Sequence, residues 1–305
     1  MELLAIFLEA AVRGATPLAL AALGEVVCER SGVINIGLEG SMIAGAFAAA
    51  AIGVASGTGA GFAAGIVAGA AAALVFATFV VGMRTDQIIT GAAVTAGSLG
   101  LTALLYRTVF GAGGAALSIP TSAPLRVPGL AAIPVIGPAL FEQPPVTYAL
   151  YALVPVVWLL LFRTRAGLAL RATGEEPVAA LAAGHSPRRL QAVAIVVGGA
   201  LGGLGGAVLV LAQTGTFAEG MSAGRGFIAL AVVALGRWHP VGVAAAALLF
   251  GGAVALQHLA QAADIRLPYQ LFLALPYLVT LVVLATSAGR HRAPAALGRS
   301  LPTFG

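Results

Sequence analysis

Few residues in this chain can do chemistry, and four of them fall within one short stretch. Residues 29 to 41 read ERSGVINIGLEGS, with Glu29, Arg30, Asn35 and Glu39 set among three glycines. Directly after this cluster, Gly40 to Met83 is a run of 44 residues without a charge. Polar side chains at membrane depth are costly, so they usually face a bundle interior or an aqueous path. Gly32, Gly37 and Gly40 permit a broken or re-entrant backbone, which is tolerated at that depth only inside protein. Two readings of Asn35 and Glu39 stay open: they line a pathway, or they bond neighbouring backbone. Under the first, Ser31, Gln87, Glu219 and Phe227 join them as pathway candidates.

Other motifs argue against catalysis. Gly220-Met221-Ser222-Ala223-Gly224 matches GxSxG, but that motif needs a strand before it, a helix after it, and a His and an acid nearby. Here it lies in a turn between apolar segments, so its glycines are expected to make a tight turn. His185, His239, His258 and His291 show no metal-ligand spacing. The chain has 16 Arg and no Lys, so it has neither the lysine of a phosphate-binding P-loop nor a Schiff-base site. Cys28 is the single cysteine, which excludes an internal disulfide and a cysteine metal cluster. No catalytic residue, metal or bound cofactor is expected.

The elements that must position these residues follow from composition. The 305 residues are 60% hydrophobic and only 9% charged, with a mean hydropathy of +1.01. Soluble domains carry about a quarter charged residues, so this chain lacks the polar surface of one. A helix crosses the hydrocarbon with roughly 20 apolar residues. Spans are expected near 15–28, 38–55, 60–82, 88–110, 146–162, 190–212, 225–236, 240–262 and 268–287, with an interfacial helix before residue 15. The fold class is therefore all-α, a polytopic transmembrane helix bundle of about eight to ten spans. The runs are continuous, without the short alternation of a membrane β-barrel. Glu2 and Glu9 stand where a cleavable signal would carry basic residues.

The arginines are scattered among loops and form no dense patch, so no nucleic-acid partner is expected. They set topology instead, because short arginine-rich loops stay cytoplasmic. The loop 163–189 holds Arg163, Arg165, Arg171, Arg188 and Arg189, and the tail holds Arg290, Arg292 and Arg299. Both are expected inside, leaving 111–145 outside. The inner loop contains a short amphipathic helix beginning near Pro177, which suits a first helical turn. Glu175 and Glu176 sit at its positive end, and Gly184 is a plausible stop. Gly61, Gly65 and Gly69, like Gly198, Gly202 and Gly206, are four apart, a spacing that lets membrane helices approach closely. Glu29–Gly40 and Glu219–Gly226, at an offset of roughly 180–190 residues and on opposite sides, suggest two inverted-topology repeats around a central path.

Three stretches, SGVINIGLEG (31–40), LRATGEEPVAALAAGHS (170–186) and AGRGFIALAVVALGRWHPVG (223–242), resemble motifs of the membrane subunits of ABC importers for simple sugars and nucleosides. They fall in that family's order, and the similarity runs from about 16 to 287. The third stretch resembles the nucleoside branch more than the ribose or galactose branch. The resemblance implies one permease domain over 1–305. Its parts would be a first half (about 16–110), an external loop (111–145), a cytoplasmic coupling loop (163–189), a second half (about 190–287) and a cytoplasmic tail (288–305). It implies a multi-pass subunit of the bacterial plasma membrane that takes nucleosides, with simple sugars as the alternative; a stand-alone secondary transporter is a further one. The implied partners are an ABC ATPase subunit that uses the ATP, a second homologous permease in a heterodimer, an extracytoplasmic substrate-binding protein and membrane lipid. The family's coupling helix falls on Gly174, Glu175, Glu176, Pro177, Ala180 and Gly184. Glu176 stands where the family often has Asn, and His185 where it often has Ile.

Overall fold

The computed structural model describes residues 2–111, 118–262, 278 and 293–301. Apart from residue 278, the expected span 268–287 lies outside the described residues, as do Arg290, His291 and Arg292. Eleven α-helices dominate those residues: α1 (Glu2–Arg30), α2 (Leu38–Ser56), α3 (Thr58–Ala77), α4 (Gln87–Phe110), α5 (Ile136–Phe141), α6 (Pro145–Arg163), α7 (Arg165–Glu175), α8 (Pro177–Ala182), α9 (Pro187–Val208), α10 (Arg225–Leu235) and α11 (Pro240–Ala262). Seven helices in the described residues are long and apolar enough to cross a membrane, and α10 is a shorter apolar one. The chain is an all-α polytopic bundle.

The first helix departs from expectation. It is continuous from Glu2, with no separate interfacial segment, and it carries Pro17 internally. A proline inside a helix leaves the carbonyl four residues earlier without its partner. That carbonyl belongs to Arg13, and the Gln213 side chain donates to it at 2.7 Å. A helix break in lipid is tolerated when a neighbour satisfies the freed group, so the helix continues through the proline.

The core is built on close backbone contact. A Cβ on Gly69 would lie 2.5 Å from the Gly203 Cα, and one on Gly65 would lie 3.1 Å from the Gly45 carbonyl oxygen. A Cβ on Gly24 would meet the Gly198 carbonyl oxygen at 2.6 Å. The four-residue glycine rows therefore serve packing within the chain, where van der Waals contact is the main source of helix association. Helix α9 is the centre: 13 of its 22 residues are buried, against four of 24 in α4 at the edge.

The two ends differ in charge. Arg30 donates to the Trp238 carbonyl, Arg171 to the Leu161 carbonyl, and the Gln87 amide to the Arg299 carbonyl. Those arginines and their neighbours Arg84, Arg163 and Arg237 thus gather at the end that carries α7 and α8. The opposite end carries the segment 118–143, with a two-residue ladder between β1 (Leu125–Arg126) and β2 (Glu142–Gln143). Ile119 and Ser122 donate to the carbonyls of Gly215 and Leu211, fastening that segment to the helical turn that continues α9 beyond Val208. The loop 163–189 is more ordered than expected. It holds α7 as well as α8, because Thr164 caps α7 through the Gly167 N–H at 3.0 Å.

Candidate functional site

Glu39 opens α2, and its carboxylate reaches across the fold to the start of α10. One oxygen accepts from the Ser222 hydroxyl at 2.6 Å and the Gly224 N–H at 2.8 Å; the other accepts from the Gly226 N–H at 2.7 Å. The first N–H groups of a helix lack internal partners, and the helix dipole favours an anion there. Glu39 is thus the cap of a helix that begins 186 residues later. The approach requires glycine at 226, where a Cβ would sit 2.5 Å from the Glu39 Cα. Gly220 and Gly224 have φ of +69° and +80°, so the GxSxG stretch is a turn, and its serine serves the Glu39 carboxylate.

The break between α1 and α2 is held from three sides. The Ser31 hydroxyl donates to the Cys28 carbonyl at 2.6 Å and ends α1. The Gln191 amide, from α9, donates to the Ser31 carbonyl at 3.1 Å. Gln87, at the start of α4, accepts from the Ile34 N–H at 2.9 Å. Beneath the break, Glu25 accepts from the Asn35 N–H at 2.9 Å, and the Trp238 indole N–H donates to Glu29. The Asn35 side chain is fully buried, and neither of its polar atoms has a partner among the described residues.

The site candidates divide. Ser31, Asn35, Glu39 and Gln87 converge on the break. Glu219 lies apart at the far end, where Arg107 donates to it at 2.9 and 3.2 Å. The hydrogen bond from that guanidinium holds the Glu219 carboxyl below its ordinary range. Phe227 is exposed at the start of α10. An open cleft of about 1190 Å³ runs between α2, α3 and α4, lined mainly by small apolar side chains with Thr90, Ser98 and Thr102 among them. Among the described residues, no three His, Cys, Asp or Glu side chains converge as metal ligands.

At the arginine-rich end, Pro177 starts α8, and Gly184, at φ +84°, follows it. Ala180 anchors α8 inward, while Val178 and Leu181 are exposed. Glu176 precedes the helix without a side-chain capping bond. Glu175 ends α7, and Gly174 packs against the Arg30 carbonyl.

Sequence reasoning passed over Glu25, Gln191 and Trp238, and weighed Ser222 only as a catalytic nucleophile. Glu25 and Glu29 share a face of α1 by their spacing of four, a legible signal. Gln191 and Trp238 carried none, because their partners are 160 and 209 residues away.

A family model described as "Branched-chain amino acid transport system / permease component" matches residues 7–284. The guanosine ABC transporter permease protein NupQ of Bacillus subtilis is 35% identical over 98% of this chain and 97% of its own. The nucleoside ABC transporter permease protein NupC of Lactococcus lactis is 33% identical over 93% and 92%. The putative glucose ABC transporter permease protein TsgC13 of Haloferax volcanii is 34% identical over 98% of both. No solved structure matches the chain significantly. Membrane-length helices and matches over nearly the whole length agree: the chain belongs to this family of ABC transporter permease components, membrane subunits that are served by a separate ATPase and a substrate-binding protein.

Proposed function

We propose that this chain forms part of the path for nucleosides in an ATP-driven importer, beside a second, similar permease subunit, as a heterodimer in a bacterial plasma membrane. The α7–α8 end and the C-terminal tail are cytoplasmic. The observation that carries the reading is α8: a short helix beyond the long spans, anchored by Ala180, with Val178 and Leu181 turned outward. An exposed apolar pair on a short helix suits a groove on a partner protein. Gly174 against Arg30 gives a push on α8 a route to the α1–α2 break, as switching by packed rigid elements requires.

The halves 16–110 and 190–287 surround the path as inverted repeats, and the grip of Glu39 on Ser222–Gly226 supports their meeting there. Ser31, Asn35 and Gln87 border it from the break, and Glu219 and Phe227 from the other half. The cleft beside the sparsely buried α4 suits a second permease subunit. Nucleosides are favoured by the names of the Bacillus and Lactococcus relatives. The name of the Haloferax relative makes a simple sugar the second reading.

Proline at 181 removes a helix N–H and costs about 3 kcal/mol or more in helix stability. Leu181→Pro is expected to abolish uptake by the reconstituted transporter while binding of the substrate-binding protein persists. Normal uptake by that variant refutes the docking role. Competition with a panel of nucleosides, ribose and glucose separates the two substrates, and uptake by the chain alone without ATP overturns the ATP-driven reading.

A further inference from the structure

Residues 293–301 do not trail away from the bundle. The Ala296 N–H donates to the Gly174 carbonyl at 2.9 Å, and the Ala295 N–H donates to the Glu175 carboxylate at 3.2 Å. The Gly298 N–H donates to the Gly32 carbonyl at 3.1 Å. The Arg299 carbonyl accepts from Gln87 at 3.4 Å, and Gln87 also holds the Ile34 N–H. Leu301 is buried in a cluster with Cys28, Val33, Phe76 and Ile195. One short segment therefore touches the end of α7, the α1–α2 break and the start of α4.

The geometry of this joint is close. A Cβ on Gly32 would meet the Gly174 Cα at 3.3 Å and the Ala296 carbonyl oxygen at 3.5 Å. Gly298 adopts φ +75°, and a Cβ there would meet the Ile34 side chain at 3.3 Å. Glycine reaches such a φ without the penalty other residues carry. The contacts are mainly backbone hydrogen bonds, so the segment's path, more than its side chains, makes the joint.

We propose that residues 293–301 are a tie that fastens α7 and α8 to the α1–α2 break and to the start of α4. Displacement of α8 then moves the break and α4 together, and Gly32, Gln87, Gly298 and Leu301 are positioning residues for coupling. The proposal rests on the docking role of α8 given above. Without the tie, α7 still touches Arg30, but nothing on this segment links it to α4.

The test is a full reconstituted transporter, with both permeases, ATPase and substrate-binding protein, carrying Gly298→Val or Leu301→Asp in this chain. Each variant is expected to keep its assembly and its ATPase rate while uptake per ATP hydrolysed falls at least about fivefold, the low end of a site-to-site coupling. Gly298→Asn, which tolerates the left-handed conformation better, is expected to recover part of the loss. Unchanged uptake per ATP in both variants, with Leu181→Pro still uncoupled, overturns the tie and leaves α8 docking intact. Normal uptake in Leu181→Pro itself removes the docking reading and the tie with it. Loss of complex assembly in both variants also overturns the tie, since the segment then serves folding and not coupling.

Discussion

Glu39→Ala is expected to be among the most damaging single substitutions in this chain. It removes the acceptor of three hydrogen bonds, from the Ser222 hydroxyl, the Gly224 N–H and the Gly226 N–H. Ser222 is wholly buried and Gly226 lies in contact with the Glu39 backbone, so little room exists for water to replace the carboxylate. A buried donor left without a partner costs about 1–3 kcal/mol, so the sum is on the order of 5 kcal/mol. The start of α10 also loses the anion that favours its dipole. Thermal unfolding of the detergent-purified permease should show a large drop, and uptake should be lost. Glu39→Gln keeps one acceptor oxygen but turns an NH₂ toward another donor, so an intermediate loss is expected. A Glu39→Ala protein as stable as the parent would refute the capping role.

The second large effect is expected at Gly203. An alanine methyl there would lie 2.8 Å from the Gly69 Cα and 3.0 Å from its nitrogen, with the Gly65 carbonyl nearer still. These are backbone atoms of a packed helix and cannot rotate away. Overpacking a tight interior costs about 1–3 kcal/mol and sometimes more, here by prising α9 from α3. Gly203→Ala should lower the unfolding temperature and the yield of folded protein. At Gly97 and Gly100, on the exposed helix α4, an alanine methyl would have nothing within 4 Å among the described residues. Alanine there should stabilise the helix by about 0.5–1 kcal/mol, the ordinary Gly-to-Ala gain. The comparison isolates packing from helix propensity, and equal effects at 203 and 97 would contradict the close crossing.

Much of the architecture was legible in residue order. Long uncharged runs require helices that cross lipid, because an unpaired backbone group there is too costly. Gly32 and Gly37 marked the break, and α1 ends at Arg30 while α2 starts at Leu38. Pro177 and Gly184 marked α8 to within a residue or two. The continuation of α1 through Pro17 was not legible, since it depends on Gln213 satisfying the Arg13 carbonyl. Nor was α7, a short helix in a polar loop.

Span length and most helix ends are local properties. They depend on the apolar run, the capping residue and the conformational freedom of glycine, and each can be read within a few residues. What Glu39 touches is a different kind of fact. Two readings of it, pathway group or backbone partner, were equally open from composition and spacing. Folding brings α10 against the start of α2, and the carboxylate then meets N–H groups 185 and 187 residues away. The same holds for the segment 293–301, whose arginine suggested its side of the membrane but whose path onto Gly174 and Gly32 did not follow. Backbone donors and acceptors are the same in nearly every residue, so their pairing across the fold leaves no mark in residue type. Only the packed helices decide which of them meet.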